Sequence, residues 1–184
     1  MYKILIVFLI LNFSNLAFSS TKEKIISKIQ FTKNYTFNFI QTTDDKTESG
    51  SCTIKYPKKI FCKYKNLNKK IMVSNGKSLV IKNINKGSYY IYPLNKTPLE
   101  LLLDKEYLIS KIQNLTPRNI DDRFINFTIS EDANKINIFF DKEDFNLIGW
   151  QTLDMYQNLT ITFISSIKIN KEINNKIFIL PKNN

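Results

Sequence analysis

The sequence contains no histidine, and it has only two cysteines, four glycines and one tryptophan in 184 residues. Histidine is the commonest metal ligand in proteins and the commonest general base near neutral pH, so the usual candidates for both roles are missing. Two cysteines cannot supply the four ligands of a structural zinc site. We therefore predict no catalytic residue, no metal site and no cofactor, and we rank binding functions ahead of enzymatic ones.

Sequence motifs of nucleotide-binding proteins and hydrolases are also missing. Each glycine stands alone, so the chain has no phosphate-binding loop, no dinucleotide fingerprint and no nucleophile elbow. The adjacent carboxylates Asp121-Asp122 and Glu143-Asp144 fall in predicted loops. Because neighbouring residues in such segments point apart, we do not interpret either pair as a catalytic dyad.

The first 19 residues have the pattern of a secretory signal peptide. Lys3 is their only charge, residues 4–11 are apolar, and Ala17 and Ser19 provide small residues three and one positions before a cleavage site. We expect cleavage before Ser20.

A membrane anchor is the alternative interpretation of this segment. A spanning helix needs about 20 apolar residues, and Asn12, Ser14 and Asn15 interrupt the run. We therefore expect residues 20–184 to form a single domain in an oxidising, extracytoplasmic compartment. The overall composition, 43% hydrophobic with a net charge of +11, is that of a globular protein with a basic surface.

The rest of the chain is predicted to be mainly β with some α-structure. Ser20 and Glu23 form a capping-box pattern, and Ile25 and Ile29 recur at helical spacing, which predicts one helix to about Lys33. Period-two alternation then predicts about ten antiparallel strands in single-file order. The candidate ranges are ten, 35–41, 51–56, 60–65, 71–74, 77–82, 89–92, 124–130, 135–141, 145–155 and 159–167, and a short eleventh, 177–180.

Two features interrupt or connect these strands. Asn75-Gly76 is a strong hairpin signal. Between residues 93 and 116 the alternation stops, and Thr97-Pro98 followed by leucines predicts a short apolar helix, with a second helix over 105–113. An antiparallel sheet of this size tends to curl or close, so we expect a curved sheet whose apolar face is filled by its own side chains or by a ligand.

The two cysteines are expected to face each other. If Pro57 centres the turn between two strands, Cys52 lies opposite Cys62, and directly opposed cysteines on antiparallel strands can reach disulfide geometry. Two buried free thiols are the alternative. Neither interpretation is catalytic, because the chain has no CxxC motif and no histidine partner.

Seven lysines lie between Lys55 and Lys70 without one acidic residue. Lys55, Lys63 and Lys65 fall on the strand face opposite the apolar residues, and aromatic residues are not interleaved with them as nucleic-acid binding would require. We therefore expect no nucleic-acid partner. The lysines form either a solvated outer face or a surface that docks to anionic headgroups or an acidic partner.

Five motifs together resemble a known family. In chain order they are Phe39-x-Gln41, Gly50-x-x-x-Ile54-Lys55-Tyr56-Pro57, Ile71-Met72-Val73-Ser74-Asn75-Gly76-Lys77, Tyr92-Pro93-Leu94-x-x-Thr97-Pro98-Leu99-x-Leu101-Leu102, and Leu147-x-x-Trp150-x-x-x-Asp154. Their order and spacing are similar to those of the periplasmic outer-membrane lipoprotein carriers of LolA type, above all the alphaproteobacterial members. The resemblance spans essentially the whole mature chain.

The resemblance implies a half-open, incomplete antiparallel β-barrel with an N-terminal helix and a helical lid. It implies a monomeric periplasmic chaperone that takes acylated lipoproteins from an ATP-driven (ABC-type) exporter in the inner membrane and hands them to a receptor lipoprotein at the outer membrane. The implied cavity lining is Phe37, Phe39, Ile54, Tyr56, Ile60, Cys62 and Tyr64, and the implied lid is Pro98, Leu99, Leu101, Leu102 and Leu103.

One position departs from the family pattern. Many members carry arginine directly before the proline of the first hairpin, where it hydrogen-bonds the lid, whereas this chain has Tyr56. A tyrosine hydroxyl could still bond a lid carbonyl. The alternative function is that of a secreted sheet protein that binds a lipid or glycolipid, or that senses envelope stress.

Overall fold

The computed structural model describes residues 20–131, 134–153 and 157–183, so the predicted signal peptide and Asp154 lie outside the described residues. Within them, one antiparallel sheet of eleven strands is accompanied by three α-helices. The helices are α1 (Thr21–Phe31), α2 (Leu99–Leu103) and α3 (Lys105–Asn114). The strands are β1 (Asn34–Thr43), β2 (Lys46–Lys55), β3 (Lys59–Tyr64), β4 (Lys70–Asn75), β5 (Ser78–Asn83), β6 (Ser88–Pro93), β7 (Arg118–Ile120), β8 (Phe124–Glu131), β9 (Asn134–Asp141), β10 (Leu147–Leu153) and β11 (Leu159–Ile169).

The strand order shows that the sheet does not close into a complete barrel. From one edge to the other it runs β6-β5-β4-β3-β2-β1-β11-β10-β9-β8-β7. Every pair of adjacent strands is consecutive in sequence except β1 and β11. The two edge strands, β6 and β7, are consecutive in the chain, and the segment that joins them contains α2 and α3. The predicted fold class, a half-open antiparallel barrel with an N-terminal helix, is confirmed.

Helix α1 begins with the predicted capping box. The Ser20 hydroxyl accepts a hydrogen bond from the Glu23 backbone N–H at 3.2 Å, and the Ser20 backbone N–H donates to the Glu23 carboxylate at 2.7 Å. Ile25 and Ile29 are buried against the sheet and α3. The helix ends two residues before the predicted end because Thr32 is already extended.

The hairpin between β4 and β5 differs by one position from the prediction. Gly76 and Lys77 form the two-residue turn, and Gly76 has φ +102°, a conformation that other residues rarely adopt. The Asn75 carboxamide accepts hydrogen bonds from the backbone N–H groups of Lys77 (2.9 Å) and Ser78 (3.0 Å). Strand β5 therefore begins at Ser78, one residue later than predicted.

Two other predictions about the strands were wrong. Strand β7 was missed, because three residues are too short to show alternation. The predicted strand over 177–180 is instead a 3₁₀ helix, Asn175–Phe178, which the Asn174 side chain caps by accepting a hydrogen bond from the Lys176 N–H. Phe178 is buried where this helix crosses the convex face of β3 and β4.

No helix within the described residues has the length and hydropathy needed to cross a bilayer.

Candidate functional site

The concave face of the sheet carries the residues predicted to line a cavity. Register places Phe37 beside Cys52 and Cys62, Ile54 opposite Ile60, and Tyr64 in the same row as Phe39, with Gly50 between them. All of these side chains belong to one hydrophobic cluster: Phe37, Phe39, Ile54, Ile60 and Cys62 are buried, and Tyr56 and Tyr64 pack against them. The structure brings all seven predicted residues together on the concave side.

Aromatic rings pack edge-to-face along this surface. Phe39 and Tyr64 have ring centroids 4.9 Å apart, and Phe37 meets Trp150 from the other half of the sheet at 6.3 Å. Gly50 makes room for the first pair, because a Cβ atom there would lie 2.7 Å from the Phe39 ring. The centre of the concave surface is therefore aromatic.

The segment from Pro98 to Leu103, which we call the lid, covers one end of this surface. Leu102 and Leu103 are fully buried, Leu101 is nearly so, and Leu99 packs against the same cluster from a partly buried position. Helix α3 adds Leu108 and other apolar residues beside the lid. The lid leucines pack in the same hydrophobic cluster as the side chains of the concave face.

Lys58 joins the lid segment to the turn between β2 and β3. Its ammonium group lies 2.9 Å from Glu100 Oε1 and 3.1 Å from Asp104 Oδ2, at the two ends of α2. Its backbone N–H donates to the Leu103 carbonyl at 2.9 Å, and its own carbonyl accepts from the Ser74 hydroxyl at 3.0 Å. The hydrogen bonds to Glu100 and then Asp104 raise the pKa of Lys58 above its ordinary value.

Lys58 was missed by sequence reasoning, which treated the lysines of this stretch as a group. Two features of the sequence could have indicated its role. Lys58 lies two residues after Tyr56, and two carboxylates accompany the otherwise apolar lid, Glu100 within it and Asp104 directly after it. Tyr56 itself makes no lid hydrogen bond among the described residues: its ring packs edge-to-face on Tyr35 at 6.2 Å and lies near the Lys105 ammonium. Burial raises the pKa of the Tyr56 hydroxyl well above its ordinary value, with a further contribution from Tyr35.

A polar band, formed by Gln41, Glu48, Tyr64, Lys70 and Thr162, crosses the concave face at the end away from the lid. The Tyr64 hydroxyl donates to Gln41 Oε1 at 3.2 Å, and the Gln41 amide donates to the Thr162 hydroxyl at 3.3 Å. Lys70 forms an ion pair with Glu48 and lies 3.7 Å from the Tyr64 ring centroid. Sequence reasoning also missed this band, apart from Tyr64.

The Glu48–Lys70 ion pair is largely removed from solvent, with side chains 15% and 17% exposed. Burial alone would raise the pKa of Glu48, but the hydrogen bond and charge of Lys70 outweigh it and lower that pKa. Burial lowers the pKa of Lys70, against the opposing effect of Glu48. Within the described residues, no three His, Cys, Asp or Glu side chains are grouped so that they could hold a metal ion.

Cys52 and Cys62 are joined by a disulfide in the structure. They occupy directly opposed positions on β2 and β3, with Cα atoms 4.1 Å apart. Both residues are buried in the concave cluster. The bond therefore cross-links the two strands whose connecting turn carries Lys58.

The protein-family comparison gives one match, which covers most of the chain. Residues 30–180 match the model described as "Outer membrane lipoprotein carrier protein LolA". No curated protein matches the chain.

Solved structures are similar to this chain at very low sequence identity. An uncharacterised conserved protein from Thermus thermophilus is 8% identical, with a TM-score of 0.52 over 89% of this chain and 96% of that one. A LolA superfamily protein from Nitrosomonas europaea is 10% identical, with a TM-score of 0.48 over 88% and 98% of the two chains. With a family match over residues 30–180 and the half-open sheet, concave aromatic face and Leu-rich segment all present, the chain belongs to the LolA family of outer membrane lipoprotein carrier proteins.

Proposed function

We propose that this protein is a periplasmic chaperone that accepts acylated lipoproteins released from the inner membrane and carries them to a receptor at the outer membrane. The observation that carries this proposal is the Leu-rich segment packed over an aromatic concave face, with Lys58 paired to Glu100 and Asp104. We interpret this arrangement as the closed state of a lid. Such a surface can bind an acyl chain. The ion pairs stabilise the closed lid, and the lid opens when they break. The family is one of carriers, and we propose a carrier here rather than an enzyme.

Acylated cargo needs this kind of cover because exposed acyl chains are very costly in water. Each buried methylene contributes about 0.8 kcal/mol, so the acyl chains of one lipoprotein are worth tens of kcal/mol. The buried aromatic and aliphatic side chains of the concave face offer an apolar replacement for the bilayer.

The lid moderates the affinity for that cargo. Burying Leu101, Leu102 and Leu103 contributes about 5 to 9 kcal/mol at about 1.5 to 3 kcal/mol per leucine, an upper estimate because an open lid still hides some surface. Cargo must displace these leucines. Burial of roughly the first six to eleven methylenes of an acyl chain therefore only offsets the free energy needed to open the lid. Lid closure then favours release, and the chaperone can both accept and hand over its cargo.

The direction of transport comes from the partners in this proposal. An ABC-type exporter in the inner membrane supplies the work of extracting the lipoprotein, and a receptor lipoprotein at the outer membrane binds the acyl chains more tightly than the carrier does. The carrier itself needs no nucleotide. The signal-peptide pattern of residues 1–19 supports a periplasmic location.

A release assay tests the proposal. Inner-membrane vesicles that contain an active exporter and a labelled triacylated lipoprotein are incubated with ATP and the purified protein, and the lipoprotein in the supernatant is measured. We expect a soluble one-to-one complex with the parent protein and with Asn38→Ala, whose side chain lies on the convex face. We expect strongly reduced release with Phe39→Ala, checked for folding by circular dichroism.

Failure of the parent to release lipoprotein, when an established carrier succeeds with the same vesicles, would contradict the proposal. Native mass spectrometry of the purified protein then distinguishes the alternative function. A copurifying lipid or glycolipid without any lipoprotein would identify a different ligand for the same concave face.

A further inference from the structure

The convex face of the sheet is basic around one exposed apolar pair. Among the described residues, the convex-face positions of β1, β2, β3 and β11 include no aspartate or glutamate. The same positions include Lys63 and Lys168, and Lys65 directly follows β3. All three lysines are exposed.

Register places the apolar pair among these lysines. Ile40 on β1 lies directly opposite Phe163 on β11, and on its other side it pairs with Ser49, whose carbonyl accepts from the Lys65 N–H. Strands are about 4.8 Å apart, so the row from Lys65 to Phe163 spans about 14 Å. Lys63 lies in the next row, opposite Ser51, and Lys168 pairs with Thr36 one row further along. The group therefore extends over three adjacent rows of the convex face.

The lysines of this patch have no counter-charge. None of Lys63, Lys65 and Lys168 takes part in an ion pair within the described part of the chain. Near them, Lys55 and Lys59 occupy directly opposed positions on β2 and β3, an arrangement of like charges that destabilises a sheet. The concentration of charge is not explained by folding stability.

The apolar pair is unusually open for such large side chains. Ile40 is 56% exposed and Phe163 is 57% exposed. Elsewhere on the same face, the C-terminal 3₁₀ helix packs on β3 and β4, and Val73 of β4 and its β5 neighbour Val80 are buried. The fold therefore covers part of its convex apolar surface and leaves this part uncovered among lysines.

We propose that the patch formed by Ile40, Lys63, Lys65, Phe163 and Lys168 docks the protein onto the surface of a bilayer that contains anionic phospholipids. Lysines attract anionic headgroups, and each contributes a factor of about five to binding near the surface. Phe163 and Ile40 enter the headgroup region at the centre of the patch, as apolar residues of peripheral proteins do. Docking holds the carrier at the membrane with its lid and concave face turned away from the lipid.

The chemistry of the patch favours a lipid surface over an acidic protein. Its charges are all lysines, which are flexible point charges, and the chain has only two arginines, the residue that recognises carboxylates with fixed bidentate geometry. Described hydrogen bonds do not hold the Lys63, Lys65 or Lys168 ammonium groups in place. A fluid array of headgroups needs no fixed donor geometry.

Vesicle cosedimentation tests the proposal. Protein purified after export is mixed with vesicles of phosphatidylcholine alone or with about 30% phosphatidylglycerol, at low salt. We expect binding only to the anionic vesicles, with about 100-fold weaker partitioning for Lys63→Gln/Lys65→Gln/Lys168→Gln. The matched control is Lys77→Gln/Lys86→Gln/Lys96→Gln, which removes the same charge from exposed lysines elsewhere and should weaken binding by less than about tenfold.

Phe163→Ser provides a second variant with unchanged charge. This substitution should weaken binding to anionic vesicles several-fold, and less of the remaining binding should withstand higher salt. Three results would overturn the proposal: equal binding to both vesicle types, equal losses in the two triple variants, or no binding by the parent protein. If the parent does not bind, a lysine-dependent crosslink to an acidic envelope protein would identify the other class of partner. Release of lipoprotein is measured separately, so docking can fail while the carrier function stands.

Discussion

Replacing Lys58 by glutamine should make the lid open more readily and therefore strengthen the binding of acyl chains. The substitution removes both ion pairs to Glu100 and Asp104. It leaves the backbone hydrogen bonds that Lys58 makes with Leu103 and Ser74 in place. The variant therefore tests the two ion pairs separately from the backbone contacts between Lys58 and the lid.

The size of this effect follows from the exposure of the three side chains. Lys58, Glu100 and Asp104 are 33%, 25% and 27% exposed, so solvent screens the pairs, and we assign each about 0.5 kcal/mol. Losing about 1 kcal/mol of lid closure raises the opening equilibrium roughly fivefold. Because only the open form binds cargo, the apparent Kd should fall by up to about fivefold.

Titration with a fluorescent long-chain fatty acid measures this change. Lys59→Gln is the matched control, because it removes the adjacent lysine, which has no ion pair in the described part of the chain. Raising the salt should bring the parent towards the variant, since salt screens exposed pairs. A Lys58→Gln variant that binds the fatty acid as the parent does at low salt, or more weakly, would refute the role assigned to these ion pairs.

Three further predictions concern the lid, the polar band and the disulfide. Leu102→Ala should cost the closed lid about 2 to 5 kcal/mol, and a transfer assay should show tighter acyl binding and slower hand-over than the partly buried control Leu99→Ala; unchanged kinetics would contradict the lid account. Because its pKa is lowered in the folded protein, Glu48 stabilises the fold fully at pH values above its ordinary pKa of about 4.5, and this contribution is lost as the pH falls through the lowered pKa. The unfolding free energy of Glu48→Gln should therefore depend less steeply on pH in that range. Cys52→Ser/Cys62→Ser should lose about 2 to 3 kcal/mol in urea unfolding, and denatured parent protein without reductant should show no titratable thiol; two thiols would mean that the cysteines are free.

The sheet was largely predictable because its period-two pattern is local. Phe37 and Phe39 alternate with polar residues, and this alternation alone places them on one face. The turn at Pro57 set the register of Cys52 and Cys62 in the same way. These features depend on residues close together in sequence.

The parts that sequence reasoning missed depend on contacts distant in sequence. Lys58 meets Glu100 across 42 residues, and Gln41 meets Thr162 across 121, so no local pattern indicates either contact. The segment over 177–180 looks like a strand by composition, but its conformation is fixed by packing on the convex face of a sheet formed by residues far earlier. The pairing of β1 with β11 was equally hidden from the local pattern.

Site-specific photocrosslinking tests the central claim, that acyl chains of a lipoprotein lie on the concave face. A photoreactive phenylalanine analogue is placed at Phe39, which points into the apolar cluster, or at its neighbour Asn38, which is exposed on the convex face. After release from inner-membrane vesicles, we predict crosslinks to the labelled acyl chains from position 39 and none from position 38. Crosslinks from position 38 alone, or equal yields from both, would contradict the account.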